Sequence, residues 1–104
     1  METINNNELK GKHLYKCLWE NKSYATAPPY EYKINELNIA DNFNKNATNV
    51  KEANGFCFCD EKTILRFINR GDTIYEVSVP DDAIVCEYEN VNTKYPLYMT
   101  NKII

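Results

Sequence analysis

Short apolar runs that end at Gly, Pro or Asp recur along the second half of this sequence and limit the folds it can adopt. Residues 55–59, 72–79, 83–88 and 95–100 each have the length and pattern of a strand, and residues 103–104 extend the last of them. The run 72–79 alternates between two faces, which is typical of a half-buried strand. A Pro-Asp-Asp turn follows it, since Pro presets its own φ and Asp bonds to its own backbone. These runs predict a mostly antiparallel sheet.

The first strand is predicted over residues 13–19. Leu14 and Leu18 mark one of its faces, while Cys17 and Trp19 lie on the other. Apolar residues on both faces predict a central strand that is covered on both sides. The preceding residues 1–12 are polar and rich in Asn, and they predict a flexible start of the chain.

A helix is predicted over residues 60–69. Asp60 is a suitable N-cap, Ile64 and Ile68 form an apolar stripe, and Gly71 is a suitable C-terminal cap. The polar stretch 41–54 predicts a surface loop, and the sequence leaves open whether residues 47–53 add a helical stretch. The predicted fold class is therefore α+β: one domain over residues 13–104, with five to six strands and one or two helices.

Length and composition exclude several function classes. A chain of 104 residues has the size of one domain, and its 43% of hydrophobic residues can form one core. The net charge of −3 and the scattered Lys and Arg residues argue against binding to nucleic acid. No run approaches the ~20 apolar residues of a membrane span, and residues 1–12 lack a signal-peptide core. We therefore expect a cytoplasmic protein.

The four cysteines are predicted to be reduced, buried and free of metal. Cys57 and Cys59 would lie on one strand with their side chains ~6.5–7 Å apart, which is too far for two ligands of one zinc ion. A metal site and a reactive thiol remain as alternatives. The one histidine, His13, is interpreted as a partly buried polar residue, although a base paired with one of the thiols is conceivable. No cofactor is predicted.

Two clusters could bind a partner. The acidic one combines a turn with a strand face, and it contains Asp81, Asp82, Glu87 and Glu89, with Glu76 nearby. It is consistent with a solvated surface, with acid/base chemistry or a cation site, or with a patch for protein docking. The aromatic one surrounds Pro28-Pro29 and consists of Trp19, Tyr24, Tyr30 and Tyr32. Such side chains anchor interfaces, but they also cover the cores of small domains.

The sequence from Gly55 onward resembles a group of small proteins from bacteriophages, prophages and large DNA viruses. The resemblance covers about half of the chain: Gly-Phe-Cys-Phe-Cys, the predicted helix, Gly-Asp-Thr-Ile-Tyr-Glu-Val-Ser-Val-Pro-Asp-Asp-Ala, and the final Asn-Lys-Ile-Ile. The order of strand, helix and Tyr-x-Val strand is also distantly similar to ADP-ribosyltransferase folds. Those enzymes carry a His or Arg on their first strand, and the likeness would assign that position to His13 or Lys16 here. The last strand, Tyr98-Met99-Thr100, lacks the Glu of those enzymes, which implies a degenerate site.

These observations favour a non-enzymatic, protein-binding domain of phage or prophage type. The resemblance implies a host protein as partner, and a role such as inhibition of a host defence system, as anti-CRISPR proteins perform. The alternatives are a minimal ADP-ribosyltransferase-like enzyme and a virion-associated or housekeeping component. Neither nucleic acid nor a membrane is an expected partner.

Overall fold

The structure, a computed structural model, describes residues 2–23, 30–47, 50–65, 71–88 and 97–104. These residues contain ten short strands, one single-turn α-helix and one 3-10 helix. The strands are β1 (Glu2–Ile4), β2 (Leu14–Leu18), β3 (Lys22–Ser23), β4 (Tyr30–Glu31), β5 (Asn38–Ile39), β6 (Phe56–Asp60), β7 (Thr73–Val77), β8 (Val85–Tyr88), β9 (Leu97–Thr100) and β10 (Lys102–Ile103). The α-helix α1 is Val50–Ala53, and the 3-10 helix is Asn6–Leu9.

Six of the strands form one antiparallel sheet in the order β1-β8-β9-β6-β2-β7. Strand β2 pairs along its whole length with β7 but only at Leu14 and Tyr15 with β6. Two further pairs, β3 with β4 and β5 with β10, form small antiparallel sheets of their own. The predicted antiparallel sheet of five to six strands is confirmed.

The main core lies on one face of the six-stranded sheet, which we call the inner face. Alternate residues of the strands point to it, as the period of two in a strand requires. The buried members of this core are Leu9, Leu14, Leu18, Tyr32, Phe56, Phe58, Val85, Tyr98 and Ile103. Tyr32 and Ile103 come from the small-sheet segments, so these segments cover the inner face.

The outer face of the sheet carries a smaller cluster. Met99 is fully buried there against Ala47 and Ala53, with Phe43 and Cys57 packed around them. The chain between β5 and β6 therefore covers the middle of the outer face. Both faces of the sheet are packed in this region.

The predicted helix content is wrong. Asp60 ends strand β6 instead of beginning a helix, and residues 61–63 form a turn. Its carboxylate accepts a hydrogen bond from the Lys62 N–H at 3.0 Å, and its carbonyl accepts one from the Thr63 N–H at 3.2 Å. The capping ability of Asp is thus used by a tight turn. Residues 64–65 adopt 3-10 geometry, and the predicted helical positions 66–69 lie outside the described residues.

The start of the chain belongs to the sheet, where the sequence analysis expected a flexible segment over residues 1–12. Strand β1 pairs with β8, with Thr3 opposite Cys86. The Asn6 side chain donates hydrogen bonds to the carbonyls of Pro80, Asp81 and Ala83, the shortest at 2.9 Å. These polar residues make specific bonds to a distant turn, which composition alone does not reveal.

None of the helices in the described part of the chain is long and apolar enough to cross a membrane.

Candidate functional site

The structure separates the predicted aromatic residues. Trp19 follows β2 and is 52% exposed, whereas Tyr32 is buried and Tyr30 is half-buried. The rings of Tyr30 and Tyr32 both contact Phe56 edge-on or tilted, with centroids 4.8 and 5.2 Å from it. Tyr30 and Tyr32 are thus part of the core cover, and among the three described members of this cluster only Trp19 presents a large accessible surface. Tyr24 lies outside the described residues.

The predicted acidic residues do not form one site. Asp81 and Asp82 are exposed in the turn before β8, and Glu87 is half-buried in β8. The Asp82 carboxylate accepts a hydrogen bond from Lys102 Nζ at 2.5 Å, which holds the pKa of Asp82 below its usual value. Glu76 lies on β7, and three strands lie between β7 and β8 in the sheet. Glu76 is therefore far from Glu87. Glu89 lies outside the described residues.

His13 is an exposed residue rather than a partly buried one. Its Nδ1 lies 3.3 Å from the Glu76 carboxylate, and both side chains are largely in solvent. An exposed contact of this kind contributes little to stability because water competes for both side chains. In the part of the chain that the structure describes, the hydrogen-bond contact of His13 is with Glu76 and not with a cysteine thiol.

None of the four cysteines forms a disulfide bond. Cys57 and Cys59 lie on the extended strand β6, as the sequence predicts. Cys59 Sγ is 3.7 Å from the Tyr15 carbonyl, and burial raises the pKa of this thiol to about 12. Cys59 therefore keeps its proton at neutral pH and is a poor nucleophile. Among the residues that the structure describes, no group of three or more His, Cys, Asp or Glu side chains could hold a metal ion.

Lys16, which the sequence offered only through the ADP-ribosyltransferase likeness, is a buried functional candidate that is only 5% exposed. It lies on β2 between Leu14 and Leu18 and points to the inner face with them. Its ammonium group donates a hydrogen bond to the Cys57 carbonyl and lies 5.0 Å from the centroid of the Tyr32 ring. Burial lowers the pKa of Lys16, although the neighbouring thiols oppose that shift. In the sequence, Lys16 lies two residues from both Leu14 and Leu18, and this spacing places the three side chains on one face of a strand.

The position of Lys16 follows from the way β2 and β6 separate. Their ladder contains Leu14 opposite Asp60 and Tyr15 opposite Cys59, and it ends there. The Cys57 carbonyl therefore lies beyond the ladder, and the lysine reaches across to it. A long side chain with a terminal donor can satisfy a buried carbonyl in such a gap.

Lys16 also lines a cavity of about 370 Å³ on the inner side of β2 and β7. Tyr32, Ile34, Ile103 and Ile104 contribute an apolar wall to this cavity. This volume lies within the range of small-molecule sites, and apolar walls with a few polar groups are typical of them.

Asn38 holds that wall in place. Its side-chain oxygen accepts hydrogen bonds from the Tyr30 hydroxyl at 3.0 Å and the Lys33 N–H at 2.9 Å. Its amide group donates to the carbonyls of Lys33 at 3.1 Å and Glu36 at 3.0 Å, with a longer contact of 3.4 Å to Ile103. One buried side chain thus fixes the turn before β5 and ties it to β10.

The sequence matches no family model, and no curated protein or solved structure is significantly similar to the chain.

Proposed function

We propose that the chain is a non-enzymatic protein-binding domain, and that its partner adds an extended segment to the edge of β7. The observation that carries this proposal is the position of β7 at the end of the six-stranded sheet. It pairs with β2 on one side, and within the described ranges no strand pairs with its other side. Such an edge presents backbone donors and acceptors that another strand can use.

The side chains of β7 suit this role. Thr73–Val77 contains neither Lys nor Pro, the residues that commonly protect an edge from pairing. Ile74 is 43% exposed and lies opposite Cys17 on the outer face. By alternation Trp19 belongs to the same face, one diagonal step from Ile74, within reach of a large aromatic ring. An added strand would lie beside Ile74 and cover it, whereas Trp19 lies one strand farther from that edge.

Charge indicates which segment would fit. Asp72 and Glu76 are exposed at this edge, and the whole chain carries a net charge of −3. A segment that alternates apolar and basic residues would complement this surface and would be attracted to it over a longer range. His13 is close to Glu76 but is exposed to solvent, so Glu76 remains accessible.

The phage-type resemblance of the sequence supports a host protein as the partner, and inhibition of a host defence system as the setting. Two alternatives, an ADP-ribosyltransferase-like enzyme and a virion-associated component, predict different behaviour. The first requires nicotinamide release from NAD, and the second requires copurification with particles. The protonated thiol of Cys59 and the solvent-exposed His13 favour binding over catalysis.

Selection from a displayed library of short random peptides tests the proposal. We expect the enriched peptides to alternate apolar and basic residues and to bind the wild-type chain. Ile74→Lys should abolish that binding because it places a basic side chain against them. Ile84→Lys is the matched control, since Ile84 is 38% exposed near β8, toward the opposite end of the sheet.

Equal binding of the enriched peptides to the Ile74 and Ile84 variants would refute docking at β7. Nicotinamide release by the wild-type chain that is lost in His13→Ala would replace the binding proposal with the enzymatic alternative.

A further inference from the structure

We infer that the 370 Å³ cavity beside Lys16 is a binding site for an amphipathic monocarboxylate, with the carboxylate at the Lys16 ammonium and the hydrocarbon against the isoleucine wall. This site lies on the inner side of β7 and does not depend on strand addition at its edge. The inference joins three observations: a buried cation, an apolar wall, and a rigid frame.

The two described partners of the buried Lys16 ammonium are neutral groups. Its hydrogen-bond acceptor is the Cys57 carbonyl, and the ring of Tyr32 lies 5.0 Å away. In the described ranges, none of the salt bridges joins Lys16 to an Asp or Glu. A lysine ammonium has three N–H donors, and burying its charge without an anion is costly. A ligand carboxylate would provide the missing negative charge.

The facing wall is apolar and partly open to solvent. Ile34 and Ile104 are each 45% exposed, while Ile103 is buried behind them. A hydrocarbon chain in the cavity would remove these surfaces from water, which is favourable in proportion to the area covered. Lys33 also lines the cavity and is exposed at its rim, where it would add a second positive charge. Glu76 lines the rim too, but its carboxylate is directed to His13 at 3.3 Å.

The frame of the cavity is held by hydrogen bonds within the protein. Asn38 fixes the turn that carries Lys33 and Ile34, and it also contacts the Ile103 carbonyl of β10. A site whose walls are already held in place loses less entropy when the ligand binds.

Calorimetric titration with octanoate and with 1-octanol tests the inference, because the two probes have the same chain and differ in charge. We expect the wild-type chain to bind octanoate about tenfold or more tightly than octanol, as charge-assisted hydrogen bonds would provide. Lys16→Met, which removes the charge and is only one heavy atom shorter, should remove that preference.

A second pair of variants keeps the test decisive if Lys16→Met does not fold. Ile34→Asp places a negative charge in the cavity wall and should weaken octanoate binding by about tenfold. Ile39→Asp is the matched control, since Ile39 is also 45% exposed but does not line the cavity. Equal affinity of the wild-type chain for both probes, no binding of octanoate, or equal effects of the two Asp variants would overturn the inference.

Discussion

Asn38 should be one of the most sensitive polar positions in the chain. Its side chain makes four hydrogen bonds between 2.9 and 3.1 Å and is only 2% exposed. A hydrogen bond contributes about 1 kcal/mol net, and a buried polar group left without its partner costs about 1–3 kcal/mol. We therefore expect Asn38→Ala to lower the free energy of unfolding by about 3–5 kcal/mol. That is a large part of the roughly 5–15 kcal/mol of a domain of this size.

Urea denaturation of three variants measures this effect and separates bonding from packing. Asn38→Leu keeps most of the side-chain volume, so it should destabilise the chain about as much as Asn38→Ala if the hydrogen bonds are the cause. Asn42→Ala changes an exposed residue of the same type and should alter the free energy by about 0.5 kcal/mol or less. A loss below about 1 kcal/mol in Asn38→Leu would show that the amide bonds do not hold this segment.

Three further predictions concern single positions. Gly71→Ala should lower the free energy of unfolding by about 1–3 kcal/mol in the same assay, because the added Cβ would lie 2.3 Å from the Leu18 carbonyl oxygen. An unchanged unfolding curve would contradict this close contact. Burial raises the folded-state pKa of Cys59 from 9.0 to about 12, so the free energy of unfolding should fall as the pH rises above about 9. Cys59→Ala should reduce that fall. The same pH dependence in both proteins would contradict the raised pKa. His13→Ala should change the free energy of unfolding by about 0.5 kcal/mol or less, since the contact of His13 with Glu76 is exposed to solvent, and a larger loss would reveal a structural role.

The strands could be predicted from the sequence because their signals are local. Alternation along residues 72–79 and the apolar run at 55–59 led to β7 and β6 within one or two residues. The start of the helix predicted at 60–69 was wrong because Asp60 can cap a helix or a tight turn equally well, and only the tertiary structure decides between them. The strand β1 was missed because its partner β8 is more than eighty residues away in the sequence.

The candidate site was harder to predict than the fold. The burial of Lys16 was implied by its spacing from Leu14 and Leu18, but a charged residue in that position is more often at the surface. The gap between β2 and β6 that accommodates it arises from strand pairing, which no local pattern encodes. The role of Asn38 likewise depends on a turn and on β10, so its side chain gives no signal in isolation.

The order of the strands also has a consequence for how the chain acquires its fold. The first strand, β1, is held by β8, and β6 is held on one side by β9, so both await segments that are synthesised much later. Closing such long loops costs entropy before any contact compensates for it, and folding that depends on distant pairings is slow. On the ribosome, β1 would emerge early and remain without its neighbour until residues 85–88 follow. We expect folding of this small domain to be slow for its size, and its nascent form to depend on chaperones more than its length suggests.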